Sequence, residues 1–177
     1  MRTAIGIIES SHVRVMRIAD NMRNVAVTEG DKVEAQIKFG WEIDAYPVNE
    51  IAEVVKGVSQ ADINTLVEEY YSRYEILLEG RYEKEFREHV AVQAGIEIGF
   101  EKLLEEKNCH AIVTHFGDLG SLQQLPGLAI QRLMEKGYGF GGEGDWKTAA
   151  MVRVMKIMTQ GMKNAKGTSF MEDYTYN

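Results

Sequence analysis

The sequence has 177 residues, of which 45% are hydrophobic and 27% charged, and it carries a formal net charge of −7 at pH 7. A chain of this size and composition forms one globular domain by default and buries an ordinary core without disulfides or metals as staples. The acidic balance disfavours a surface for nucleic acid or for an anionic membrane, so we expect neither partner.

The first half of the chain predicts two strands set among helices. In chain order the predictions are the end of a helix at 2–9, a strand at 12–19, a helix at 31–40, a strand at 41–48 and helices at 49–58 and 59–74. The helix at 31–40 has the clearest boundaries. Asp31 is a good N-cap, Glu34 completes a capping box, and Gly40 is suited to end the helix.

The second half continues the alternation of helices and strands. The predictions are a long helix at 84–107, a buried strand at 109–116, a helix at 126–137, a short strand at 138–140, a helix at 146–158 and a strand at 168–176. The methionines of the helix at 146–158 are expected to fill a core. Strands that alternate with helices favour an α/β fold. We therefore expect a layered, mostly parallel sheet flanked by helices, of the Rossmann-like or flavodoxin-like kind, as a single domain over residues 1–177.

Residues 137–150, GYGFGGEGDWKTAA, hold five glycines in eight residues. Gly139, Gly141 and Gly144 fit the dinucleotide-binding pattern G-x-G-x-x-G. Glu143 lies inside that pattern, where a pyrophosphate would sit. Two like charges 4 Å apart, such as this carboxylate and a phosphate, repel by roughly 1 kcal/mol in water and about 4 kcal/mol at a protein surface. A turn followed by a helix with Asp145 as its N-cap is therefore favoured over a phosphate site. The cap does not account for Glu143.

A second group of carboxylates lies in FMEDYTY, where Glu172 and Asp173 are adjacent. In a strand, adjacent side chains point to opposite faces, so one of the two would face any cleft. Both could be surface charges at the end of a strand. Alternatively, Glu143 and Glu172 supply hard oxygen ligands for a divalent ion and act as acid and base.

Three stretches together resemble the L-arabinose isomerase family: residues 20–41, residues 124–158 and GTSFMEDYTY at 167–176. The resemblance covers most of the chain. It implies an enzyme that interconverts L-arabinose and L-ribulose with a divalent metal, commonly Mn²⁺. The family's enzymes are much longer, and this chain resembles their central domain with the flanking domains missing.

The resemblance also implies roles for single residues. Glu143 of Gly-Glu-Gly-Asp-Trp and Glu172 of Phe-Met-Glu-Asp-Tyr stand where the family has its metal ligands and its acid/base pair. Met22 and Phe116 match positions that line the sugar pocket. The family's two histidine ligands would lie beyond Asn177, so we expect the isolated chain to be inactive.

The stretch HFGDLGSL at 115–122 departs from the family pattern, since many members have Phe-Glu-Asp-Leu-His-Gly there. One acidic side chain and one histidine are thus absent, which leaves the sugar preference open. His115 is a further candidate for the pocket.

The alternative hypothesis is a non-catalytic oligomerisation or ligand-binding module of a sugar-metabolism protein. For the full-length protein we expect a small-molecule sugar substrate and a homo-oligomer. A lone cysteine, Cys109, and the absence of an apolar run of about 18 residues fit a cytoplasmic protein.

Overall fold

The computed structural model describes residues 1–163. Its helices and strands follow in the order α1 (Arg2–Ser10), β1 (Arg14–Ile18), a 3-10 helix (Ala26–Thr28), α2 (Lys32–Phe39), β2 (Glu42–Tyr46), α3 (Val48–Lys56), α4 (Gln60–Arg73), α5 (Glu83–Glu106), β3 (Ala111–Val113), α6 (Gly127–Glu135), β4 (Gly139–Gly141) and α7 (Trp146–Thr159). The described helices include none long and apolar enough to cross a membrane.

The four strands of this part of the chain form one sheet in the order β2-β1-β3-β4, and every neighbouring pair is parallel. Parallel neighbours need a crossover, and helices supply each one. The expected α/β layered fold is therefore confirmed.

Alternation along the strands divides the core into two layers. Met16 and Ile112 point towards α3, α5 and α6, and they pack there with Phe100 and other apolar side chains. Val15 and Val113 point to the other face, where α2 and α7 cover the sheet. α1 packs on the outer side of α7. Helices on both faces bury both sides of the sheet, as parallel sheets require.

The glycines of β4 let α7 lie directly on the sheet. A Cβ at Gly139 would collide with the carbonyl oxygen of Ala149, and one at Gly141 would collide with that of Asp145. Both obstacles are helix backbone, which cannot move away as a flexible side chain can. These two glycines thus belong to a strand and to a close strand–helix contact.

Most helix boundaries agree with the sequence, and three details do not. The strand at 109–116 is shorter than expected because only Ala111–Val113 pairs. The 3-10 helix had not been expected. Met151 and Met155 were expected to fill a core, yet their side chains are 51% and 40% exposed on α7. The strand predicted at 168–176 lies outside the described residues.

Candidate functional site

The carboxyl ends of β1, β3 and β4 bring three of the predicted site residues to one edge of the sheet. The chain leaves β1 for β2 on one side, whereas β3 lies on the other side of β1. Where strand order reverses in this way, the following loops part and leave a crevice that typically binds ligands. Met22 follows β1, Phe116 follows β3 and Glu143 follows β4.

Glu143 lies at the centre of a tight turn that joins β4 to α7. The Asp145 N–H donates to the Gly142 carbonyl at 2.8 Å, and φ is +54° at Glu143 and +80° at Gly144. Positive φ at both central residues is the pattern of a type I′ turn. The left-handed region costs a non-glycine residue roughly 1–2 kcal/mol. Such strain persists only where the surrounding structure holds it, and it is concentrated at functional sites.

Asp145 holds the other end of this turn. Its carboxylate accepts hydrogen bonds from the N–H groups of Lys147 and Thr148, at 3.0 and 3.2 Å, and so caps α7 as expected. Glu143 takes no part in the cap. Its side chain is half-buried and has no hydrogen bond or ion pair with another residue of 1–163.

The loop carrying Met22 is bonded directly to this turn. The Met22 N–H donates to the Glu143 carbonyl at 3.2 Å. The fit is tight, since a Cβ at Gly144 would lie 2.5 Å from Asn21 Cα and 2.6 Å from the Asp20 carbonyl oxygen. The structure thus brings the predicted pocket residue Met22 next to Glu143.

The end of β3 is also bonded to the turn that carries Glu143. The Gly144 N–H donates to the Thr114 carbonyl at 3.0 Å, so the turn is fixed to the end of β3. Phe116 lies two residues beyond Thr114 and is half-buried. His115 is engaged locally, because its Nδ1 accepts the Gly117 N–H at 3.0 Å.

Arg17 at the end of β1 was missed by the sequence analysis. Its side chain is 1% exposed, and its Nε donates to the Gly144 carbonyl at 3.2 Å. Its Nη1 lies 2.8 Å from a Glu29 oxygen. The signal was present in the strand HVRVMRIA: Arg17 shares the alternation of Val13 and Val15, which predicts burial, and a buried charge needs a partner.

Glu29 is the main anionic partner of this arginine. Partial burial by itself would raise the pKa of its carboxyl group. Hydrogen bonds from Arg17, from the Trp146 indole and from the Gly30 N–H outweigh that effect and lower the pKa to about 2. Glu29 is therefore ionised at neutral pH and joins the loop after β1 to the first residue of α7.

Two buried polar atoms at this edge have no hydrogen-bond partner among residues 1–163: Arg17 Nη2 and Thr114 Oγ1. More than nine in ten buried polar groups in proteins are satisfied by protein or by ordered water. These two donors would give a water molecule or a ligand hydrogen-bond partners beside the Glu143 turn.

Only part of the expected metal-ligand set can be located. Within residues 1–163, no group of three His, Cys, Asp or Glu side chains is placed to hold a metal ion. Glu143 supplies one carboxylate, the kind of hard oxygen donor that Mn²⁺ and Mg²⁺ accept. Glu172, the second predicted ligand and catalytic residue, lies outside the described residues.

Other cavities lie elsewhere in the fold. One of about 330 Å³ opens among α3, α4 and α5 and is lined by Val55, Ile63 and Ile96. None of Met22, Phe116 and Glu143 contributes to it. Its wall also includes Ser121, Leu122 and Gln123 of the loop between β3 and α6.

Fold and site together define an α/β domain with a carboxylate at the carboxyl edge of a parallel sheet, beside the reversal of strand order. Residues 14–161 match the family model of the L-arabinose isomerase central domain. The chain belongs to that family.

Curated relatives agree over the whole chain. It is 54% identical over 177 residues to an L-arabinose isomerase of Geobacillus thermodenitrificans, 53% to one of Anoxybacillus flavithermus and 51% to one of Escherichia coli. Each alignment covers 100% of this chain and 35% of the relative. The chain thus spans about a third of the length of these enzymes.

Proposed function

We propose that this chain is the central domain of a metal-dependent aldose–ketose isomerase that interconverts L-arabinose and L-ribulose. The reaction moves a proton between C1 and C2 through an enediol. The observation that carries the proposal is Glu143: it is held in a strained backbone conformation at the carboxyl edge of the sheet, with a carboxylate that no residue of 1–163 engages. Relatives named L-arabinose isomerase support the substrate.

In this proposal Glu143 and Glu172 form the acid/base pair, one on each side of the enediol. A carboxylate near one carbon takes the proton, and the same or the other carboxyl group returns it to the neighbouring carbon. The turn fixes the Glu143 backbone to Thr114 and Met22 while its side chain stays accessible.

Glu143 and Glu172 would also hold the divalent metal, for which Mn²⁺ is our proposal. When bound, such an ion acts as a Lewis acid towards the substrate oxygens. The half-buried apolar side chains of Met22 and Phe116 would line the sugar pocket and exclude water from it. The resemblance places two further histidine ligands beyond Asn177, so we propose that residues 1–177 alone are inactive.

The test is L-ribulose formation by the longest natural chain that contains residues 1–177. Glu143→Gln keeps the size of the side chain and removes its charge and basicity, so turnover should fall by about 10²–10⁴-fold. Glu79→Gln is the matched control, because Glu79 is also a glutamate at positive φ but lies in the exposed loop between α4 and α5. Unchanged turnover in Glu143→Gln would remove the assigned role.

A separate measurement addresses the isolated chain. Residues 1–177 should bind Mn²⁺ weakly in a calorimetric titration, because the proposed ligand set is incomplete. Tight binding, similar to that of the long chain, would contradict that part of the proposal.

Exposed apolar side chains on α1 and α2 support assembly as a second function. Ile7 and Ile8 on α1 and Val33 and Ile37 on α2 are each more than 60% exposed. Exposed apolar side chains one helical turn apart, such as Val33 and Ile37 on α2, are typical of interaction sites. We propose that the full-length protein is a homo-oligomer, and sedimentation of the long chain at several concentrations tests it. A monomer at all concentrations would refute it.

We further propose that the protein binds a small-molecule sugar and neither nucleic acid nor a membrane, and that it is located in the cytoplasm. The net charge of −7 supports the absence of nucleic-acid and membrane partners.

A further inference from the structure

We propose that Arg17 is a positioning residue for Glu143: its guanidinium ties the turn that carries this glutamate to the loop that carries Met22. The consequence for catalysis rests on the proposed function. The link between the two loops rests on the geometry alone.

The position of Arg17 in the sheet makes this link possible. Arg17 on β1 is in register with Val113 on β3, and Val113 is in register with Gly141 on β4. All three lie on the face that α7 covers. Val113 is small, and Gly141 has no side chain, so the guanidinium reaches across the strand ends to the Gly144 carbonyl, to which Nε donates at 3.2 Å.

The other side of the same guanidinium holds the loop after β1. Its Nη1 lies 3.0 Å from an Asp20 oxygen and 2.8 Å from a Glu29 oxygen. One planar group thus bonds the turn after β4 and both ends of the 19–30 loop. A planar fork can serve these separate acceptors at once, whereas a lysine ammonium is a single point that cannot reach all of them from one stem.

Glu143 needs such support because its backbone conformation is unfavourable. Three hydrogen bonds between the turn and other segments keep its backbone from relaxing to a less strained conformation. They run from the Met22 N–H to the Glu143 carbonyl, from the Gly144 N–H to the Thr114 carbonyl, and from Arg17 to the Gly144 carbonyl. The last is the one side-chain contribution among them. Removing it leaves the buried Gly144 carbonyl with the Trp146 N–H, at 2.9 Å, as its remaining donor and weakens the hold on the Glu143–Gly144 peptide groups. A carboxylate displaced by about 1 Å can cost about 10²-fold in rate.

The experiment compares Arg17→Lys with Arg132→Lys in the longest natural chain that contains residues 1–177. Arg132 is a matched control: it is also a buried arginine, 4% exposed and paired with carboxylates, but it lies on α6 in the opposite helical layer. We expect Arg17→Lys to lower kcat or Mn²⁺ affinity by about 10–100-fold, the usual cost of losing an outer support of a metal ligand. Arg132→Lys should lose a similar amount of thermal stability and leave both quantities within about twofold.

Hydrogen exchange gives a readout that does not depend on activity. Peptides covering 20–24 and 142–146 contain the Met22 and Gly144 amides, whose bonds hold the turn. We expect faster exchange in both peptides for Arg17→Lys and wild-type rates for Arg132→Lys. The proposal would be overturned if Arg17→Lys lost as much stability as Arg132→Lys but kept wild-type exchange rates, kcat and Mn²⁺ affinity.

Gly144→Ala perturbs the same link from the loop side. Its Cβ would press on Asn21 and Asp20, so it should reproduce the loss of kcat or Mn²⁺ affinity. Wild-type kinetics in Gly144→Ala would count against the link. If the wild-type long chain neither isomerises L-arabinose nor binds Mn²⁺, the proposed function fails, and the exchange data still decide whether Arg17 positions the turn.

Discussion

Replacing Glu143 by glycine should stabilise the fold while it abolishes isomerase turnover. Glu143 has φ of +54°, a conformation that costs a non-glycine residue roughly 1–2 kcal/mol. Glycine adopts this conformation freely but loses about 0.4–1 kcal/mol more through the entropy of the unfolded chain. The net gain in free energy of unfolding is therefore about 0.5–1 kcal/mol. With an m-value of about 2 kcal/mol/M, the urea midpoint should rise by about 0.3–0.5 M.

Glu79→Gly is the matched variant, because Glu79 has φ of +49° and is exposed between α4 and α5. It should gain a similar amount of stability and keep full turnover. The assays are urea unfolding followed by circular dichroism and L-ribulose formation. A loss of stability above 0.5 kcal/mol in Glu143→Gly, beside a gain in Glu79→Gly, would show that the turn is not strained at Glu143. Retained turnover would show that its carboxylate is not needed.

Further variants test the packing, the buried charges and the pH dependence. Gly141→Ala should destabilise by about 3 kcal/mol because its Cβ meets the α7 backbone, whereas Gly127→Ala, with open space around it, should change stability by less than about 1 kcal/mol in urea unfolding. Glu97→Gln should cost about 3 kcal/mol by breaking a fully buried ion pair, against less than about 0.5 kcal/mol for the exposed Glu53→Gln; equal effects would refute the buried-pair argument. The pKa of Glu29 is depressed to about 2, so its contribution to stability is present above about pH 4.5 and is lost as the pH falls towards 2. The stability gap between wild type and Glu29→Gln should therefore shrink over that range, and a constant gap would contradict the assignment.

Local sequence signals predicted the helix ends and the fold class. Asp31 accepts the Glu34 N–H, and Gly40 ends α2 with φ of +72°, as the capping pattern predicted. Short-range capping chemistry decides these features, so a single sequence suffices to predict them. The strand at 109–116 was overestimated, because β3 ends at Val113 and the Thr114 carbonyl accepts the Gly144 N–H of the turn.

The candidate site was predictable only in part. Glu143 was predicted as a functional carboxylate because the helix cap needs Asp145 and not Glu143. Its neighbour Met22 was predicted as a pocket residue from the family resemblance. Arg17 was missed because Gly144, its acceptor, is 127 residues away in the chain. Contacts of that range follow from strand order, which composition and periodicity do not specify. Glu172 and its predicted strand stay predictions.

The strand order also divides the sheet into two halves, and we call the boundary between β1 and β3 the seam. β1, α2 and β2 form one βαβ unit and β3, α6 and β4 another, and the two units meet where β1 pairs with β3. Pairing β1 with β3 closes a loop that contains α3, α4 and α5, so we expect it to be the slow step of folding. Met22 lies on one side of this seam, and Phe116 and Glu143 lie on the other. A ligand bound between them would strengthen the docking of the two halves and leave each half by itself unchanged.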